Sequence, residues 1–413
     1  MDQQGASIAR RHGRLGLLLI VLCFVLGGIA RGITDAFSVF VLPIGQEFGV
    51  DRAAVTGIFA VTMLCIGFGG PLVGLLVDRF GPRVLVLTGV ASLGLGVLAA
   101  SLAHAVWQFY PGYGLLAGIG CASLGSVVQA ALLGRWFDRR LGRALAVSYS
   151  ANGVGVMVMT PLAQWLTGQH DWRFAYLVLG LFVLALFVPL LFLPWKIIEA
   201  GHPAVHRPSW PTRPGEVAPD LKAALRTGTF WNLSAAFALT SVGIYSISPQ
   251  VVAYLIERGF APLAAASAAG FAGLLMPIGM IGFNWFADRG GRRVSAVASY
   301  GCSMAGVGAL LALGGPQDHW LLIAYVVLFG ISMGSRGPMI STLATLRFRG
   351  PHLGRIYGSM TLPMGLGGSL GAWLGGAVHD LTHGYTAVMI LSIVALVSAS
   401  IPLYFEARRA GRR

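Results

Sequence analysis

Twelve apolar runs, each long enough to cross a lipid bilayer as a helix, leave this 413-residue chain few folds to choose from. They lie at about 15–42, 53–77, 84–104, 107–134, 143–168 and 173–194, then at about 229–257, 263–287, 294–314, 320–346, 354–378 and 384–405. Numbered in order, they are α1 to α12. A hydrocarbon core about 30 Å thick takes about 20 apolar helical residues to span, and backbone in lipid must satisfy its own polar groups. Composition agrees: 56% of residues are hydrophobic and 11% charged, against roughly a quarter charged in a soluble domain. The expectation is an all-α membrane protein, with many of its 58 glycines spent where helices approach closely.

The basic N-terminus followed by an apolar run has the outline of a signal peptide. The stretch "LGLLLIVLCFVLGGIARGITDAFSVFVL" is too long for one and lacks a clear cleavage site, so it reads as α1. Four cysteines, at 23, 65, 121 and 302, all sit in apolar segments and imply neither a disulfide framework nor a metal cluster. A net charge of +14 raises nucleic acid as a partner, but its distribution argues for a membrane. With both termini inside, 24 of the 29 Lys and Arg residues fall on the inner side, as the positive-inside rule expects. Arg52, Arg173 and Arg258 fall outside, and only Arg31 and Arg336 remain within the membrane. One long polar connection, rich in Pro, Arg and His, separates the runs. It divides the chain into a first half at 1–194, a linker at 195–228 and a second half at 229–413.

The halves repeat. "GLLVDRFGPR" (74–83) corresponds to "NWFADRGGRR" (284–293) at an offset of 210. "GIGCASLGSVVQAALLGRWF" from 118 corresponds to "GISMGSRGPMISTLATLRFRG" from 330, pairing Gly118 with Gly330, Gly125 with Gly337 and Arg135 with Arg347 at an offset of 212. "GRALAVSYSANGVG" (142–155) and "GRIYGSMTLPMGLG" (354–367) keep that offset. Two six-helix halves in parallel repeat, with substrate bound between them near the midplane, are the architecture of a large group of transporters.

"GLLVDRFGPR" resembles the loop between helices 2 and 3 that marks the major facilitator superfamily, G-x-x-x-D-R-x-G-x-R. Its residues here are Gly74, Asp78, Arg79, Gly81 and Arg83, repeated in the second half as Asp288, Arg289 and Arg292. The resemblance implies twelve spans in two pseudo-symmetric halves, alternating access, and a conformational role for both loops in locking the inner ends of the halves together. "WFDRRLGRALAVSYSANGVGVMVMTP" (136–161) and "DAFSVFVLPIGQEFGVDRAAVTG" (35–57) are similar to the monocarboxylate transporter and oxalate–formate antiporter branch. That branch carries an acid and, one turn later, a carboxylate-binding arginine on helix 8. Here those positions align with Met276 and Met280. The helix 1 lysine of mammalian relatives is replaced by Asp35, and the helix 11 lysine of oxalate carriers has no counterpart. The branch's carboxylate ligands therefore do not transfer.

An ionisable residue inside a membrane costs at least about 2.5 kcal/mol on insertion scales and is a functional candidate by default. Arg336 sits near the middle of α10, where the repeat partner is Leu124. A guanidinium there suits bidentate binding of a carboxylate; the competing reading is an ion pair with a neighbouring helix. Arg31 and Asp35 share a face of α1. They are either a mutually neutralising pair or a coupling and gating pair in which Asp35 takes up a proton. Gln129, Tyr149, Asn152, Tyr245, Ser246 and Gln250 are neutral polar residues within helices that line the cavity in this fold, each as able to bond another helix as a ligand. Pro249 marks a flexible point in α7. Met276 and Met280 offer an adaptable apolar wall, favouring a carboxylate with a bulky or aromatic body.

"GISMG" (330–334) matches the hydrolase nucleophile elbow but lies in a continuous apolar span, where that strand–turn–helix motif cannot form. No phosphate-binding G-x-x-x-x-G-K-[ST] occurs. The expectation is a transporter and not an enzyme: a monomer of the inner membrane, without cofactor or metal, moving a small organic anion with a proton. The alternatives are anion antiport, efflux of hydrophobic drugs, which leaves Arg336 unexplained, and a membrane sensor on the same scaffold.

Overall fold

The computed structural model describes residues 3–137, 141–201, 220–348 and 353–410, with side chains from residue 15 onward. Residues 138–140 of the α4–α5 motif and 202–219 of the linker lie outside them. Among the described residues the chain is helical throughout, without strands. Ten helical stretches are long and apolar enough to cross a membrane: Leu15–Phe48, Arg52–Ser101, Val106–Gly134, Leu141–Gln169, Trp172–Leu191, Gly228–Glu257, Pro262–Gly290, Arg292–Ala312, His319–Arg347 and Thr386–Arg409. Arg52–Ser101, at 50 residues, holds two of the expected spans. It breaks at Gly81, whose φ of 79° and ψ of 164° suit only glycine, and Pro82 starts α3. Glycine-rich Leu353–Thr382 supplies α11. The twelve expected helices are thus all present, and the chain has the all-α, two-half architecture the repeat implied.

The repeat extends to packing. In the first half α1 packs on α5, α3 on α6, and α4 on α2 and α3. In the second, α7 packs on α11, α9 on α12, and α10 on α8 and α9. The halves meet through α2 against α11 and α5 against α8, contacts that exchange when every helix is advanced by six. Backbone geometry repeats as well: Gly291, 210 residues after Gly81, also has a positive φ, 92°.

Close contact is made by glycine. A Cβ on Gly155 of α5 would lie 1.8 Å from the carbonyl oxygen of Gly28 on α1. Its repeat partner Gly367, on α11, would meet the carbonyl oxygen of Ala238 on α7 at 2.2 Å. Gly371 and Gly375 continue that face along Val242 and Ser246. Lipid is as apolar as leucine, so such helices are held by van der Waals packing, which improves as backbones approach.

Among the described residues, hydrogen bonds between the halves lie on one side of the molecule. Asp380, at the end of α11, accepts the backbone N–H of Arg52 at 3.0 Å and of Ala53 at 2.8 Å. The Arg52 guanidinium pairs with Glu257 at the end of α7. Deeper, Arg31 of α1 donates to the Tyr245 hydroxyl of α7 at 3.0 Å. Among the described residues no hydrogen bond joins the halves toward the Gly81 end. There the linker's first residues form a short helix, Trp195–Ala200, against the first half. Trp136 Nε1 donates to the Ile198 carbonyl at 2.9 Å, Arg135 Nη1 to the Glu199 carbonyl at 3.2 Å, and the Arg83 N–H to Glu199 Oε1 at 3.3 Å.

Candidate functional site

Between the halves lies an open cavity. Its walls come from Asp35 and Ser38 of α1, Val156 and Thr160 of α5, Ser248 and Val251 of α7, Ala269, Ala272, Gly273 and Met276 of α8, and Tyr325, Phe329 and Met333 of α10. Both halves contribute. Pro249 interrupts α7 with a single 3₁₀ turn, Ser248–Gln250, and so presents Ser248 to the cavity.

Asp35 is the ionisable residue of this lining. Its Oδ2 accepts from Arg31 Nε at 2.9 Å, so the two do pair. Arg31 spends Nη2 on the Tyr245 hydroxyl, and its guanidinium lies 6.0 Å from that ring's centroid. One carboxylate, one guanidinium and one phenol thus form a chain from the cavity wall across the boundary between the halves. A planar fork can serve two acceptors held apart in this way, as a lysine cannot.

Arg336 is elsewhere. It is 2% exposed and absent from the cavity lining. α10 breaks at Gly334 and Ser335, and the helix resumes at Arg336. From there the guanidinium reaches α9: Nη2 donates to the Ser299 carbonyl at 3.1 Å and to the Ser303 hydroxyl, and the plane stacks 4.5 Å from the centroid of Tyr300. No carboxylate pairs with it among the described residues. Its Nε and Nη1 have no hydrogen-bond partner there, an uncommon state for a buried cation.

The neutral polar candidates separate into three groups. Gln129 is a strut within the first half, donating to the Leu124 carbonyl at 3.0 Å and accepting from Ser148 Oγ at 2.8 Å. Ser246 and Gln250 are buried; Ser246 donates to the Gly243 carbonyl at 3.0 Å, and Gln250 Nε2 to the Ser246 carbonyl at 3.2 Å. Gln250 borders a separate, smaller space beside Tyr254 and Tyr385. Tyr149, which donates to the Ser126 carbonyl at 3.4 Å, and Asn152 lie on α5 toward the Gly81 end. Asn152 shares one helical stripe with Val156 and Thr160 but is not part of the cavity lining. Met276 lines the cavity; Met280 does not.

Asp78 and Asp288 are exposed and make no ion pair or hydrogen bond among the described residues. Gly74 is half-buried, facing Val127. Arg79 lies over Phe80 at 5.2 Å and Arg289 over Trp285 at 4.3 Å. Arg292 opens α9 after Gly291. Among the described residues no group of three His, Cys, Asp or Glu is placed to hold a metal ion.

Thr160, Ser38, Ser248, Tyr325, Phe329 and Met333 were not singled out in the sequence. The α5 stripe was the available signal, since Asn152 and Thr160 are eight residues apart. For α10 the signal was of the same kind, since Tyr325, Phe329 and Met333 recur every four residues within His319–Met333 and so share one face.

Known proteins resemble this chain along nearly its whole length. The model of the Major Facilitator Superfamily matches residues 20–334 and, again, 278–413. Monocarboxylate transporter 13 of Bos taurus is 28% identical over 396 residues, covering 94% of this chain and 88% of that protein. Monocarboxylate transporter 4 of Rattus norvegicus is 25% identical over 405 residues, covering 98% and 85%. An MFS-type transporter of Bacillus subtilis, YcxA, is 25% identical over 408 residues, covering 95% and 96%.

Proposed function

The chain belongs to the Major Facilitator Superfamily, as a membrane transporter resembling the monocarboxylate transporter branch, and from that premise we propose that it carries a small organic anion in symport with a proton by alternating access. The moving bodies are residues 1–194 and 229–413, joined by 195–228, in an inner membrane with both termini on the cytoplasmic side. In that orientation the Arg52 end faces outward, and this conformation is closed outside. The protein works as a monomer.

One observation carries the reading: Asp35 lines the cavity while paired to Arg31, which is itself bonded across to Tyr245. With Asp35 ionised, the pair is neutral and the guanidinium is occupied. A proton on Asp35 removes the competing charge, and an anion's carboxylate can take its place on Arg31. Loaded with both, the site is neutral again. A neutral site in both the empty and the fully loaded form is what cheap passage through a low-dielectric interior requires. Arg31 and Asp35 therefore serve as the coupling and gating pair, with Tyr245 relaying their state to the second half.

Arg336 keeps a role as a second anion ligand on the strength of its two open donors, Nε and Nη1. Met276, with Met333 and Phe329, gives the apolar wall for the substrate's body. The exposed Asp78 and Asp288 loops would engage when the inner ends close. Proteoliposomes loaded with a pH gradient test the whole: uptake of a radiolabelled monocarboxylate should follow the gradient in the wild type, and the reading fails if no carboxylate is taken up.

A further inference from the structure

The cavity holds more hydrogen-bonding capacity than a carboxylate and a proton consume. Thr160 is 1% exposed, and its hydroxyl has no partner among the described residues. That is unusual in a helix, where threonine ordinarily bonds the carbonyl one turn back. Thr34, Thr62 and Thr167 of this protein do so, at 2.8, 3.3 and 2.8 Å. Ser248, across the cavity on the second half, also has no hydrogen-bond partner among the described residues. A buried polar group left unpaired costs roughly 1–3 kcal/mol, so the buried Thr160 hydroxyl, facing one space with the half-buried Ser248, points to a ligand that pairs it.

The rest of the wall narrows what that ligand is. Met276, Met333, Phe329 and Tyr325 line it with sulfur and aromatic surface, which favours a flat ring. One ring with polar substituents matches that lining.

Resting on the anion-transport reading, we infer that the substrate is a hydroxylated aromatic carboxylate. Its carboxylate meets Arg31, its ring lies against the methionines and Phe329, and its ring hydroxyl bonds Thr160 on one half and Ser248 on the other. The clamp closes only when both halves approach the same hydroxyl, so it also reports occupancy between them.

The test compares uptake of benzoate, 3-hydroxybenzoate and 4-hydroxybenzoate by reconstituted wild type, Thr160→Val, Thr160→Ser and Ser248→Ala. The wild type should prefer a hydroxylated acid over benzoate by about five- to tenfold, the worth of one neutral hydrogen bond. Thr160→Val should bring that ratio close to one, and Thr160→Ser should restore it. If Thr160→Val cannot be reconstituted, the same collapse is required of Ser248→Ala. A wild type that takes up carboxylates without preferring the hydroxylated ones overturns this inference alone. A ratio that survives the loss of Thr160 does the same. A wild type that takes up no carboxylate overturns the proposed function with it.

Discussion

Asp380 caps the helix that begins at Arg52, although 328 residues and the boundary between the halves separate them. Its two carboxylate oxygens accept the N–H groups of Arg52 and Ala53, donors that α2 cannot satisfy internally. A helix N-terminus also attracts negative charge. The outer closure is therefore a helix cap supplied in trans, reinforced by the pairing of Arg52 with Glu257.

Removing the cap should favour opening on that side. Loss of an N-cap is worth about 1 kcal/mol, or about a fivefold change in a two-state population. Asp380→Ala should raise, by about that factor, the fraction of molecules with the Arg52 and Glu257 ends apart. Pulsed-EPR distances between spin labels on α2 and α7 would read it. An unchanged distribution means the cap does not hold the closure.

Neutralising Asp35 should separate flux from the proton. In Asp35→Asn, uptake should no longer rise when the outer solution is acidified, while exchange of substrate for substrate persists. Arg31→Gln should weaken substrate binding by about ten- to a hundredfold, the range of a hydrogen bond to a charged group. Proton-linked uptake that survives in Asp35→Asn removes Asp35 from the coupling role.

Arg336→Met distinguishes a ligand from a strut. Methionine matches much of the arginine's length and removes a buried charge without a paired acid, which is neutral or stabilising in many proteins. The melting temperature should hold or rise while uptake falls at least tenfold. If uptake holds too, Arg336 binds no substrate, and its contacts with Ser299, Ser303 and Tyr300 are its whole function.

Gly155→Ala should destabilise the first half. The added methyl meets the Gly28 backbone, which has no rotamer to change, and overpacking costs typically 1–3 kcal/mol. Gly142→Ala on the same helix, with open space around it, is the control. Melting of the two variants in detergent should differ by several degrees.

The twelve spans, the repeat and the signature loops were legible because hydropathy, offset and glycine placement are local properties of a chain. The pairing of Arg31 with Asp35 was legible as one of two options, since residues four apart on a helix meet. The direction of Arg336 was not. A residue's face is found by counting along a regular helix, and α10 stops and restarts at Gly334 and Ser335, next to it. Gln129 read equally as a ligand or as a helix-to-helix contact, and Ser148 and the Leu124 carbonyl satisfy it within its own half. Thr160 escaped notice for the opposite reason: nothing in a sequence reveals that a threonine has not bonded its own helix.

The two glycine contacts, Gly155 on Gly28 and Gly367 against Ala238, have a mechanical consequence. Backbone pressed on backbone leaves no soft side chain between α1 and α5, or between α7 and α11, to absorb a displacement. Each pair therefore behaves as one stiff beam, and the two beams occupy equivalent positions in the two halves. The seams are glycine on glycine as well, Gly67 of α2 on Gly365 of α11 and Gly153 of α5 on Gly273 of α8, smooth faces that carry no interlocking side chain and over which the arms can slide. A device with two rigid arms and two sliding seams has few ways to move, and a see-saw is the simplest of them.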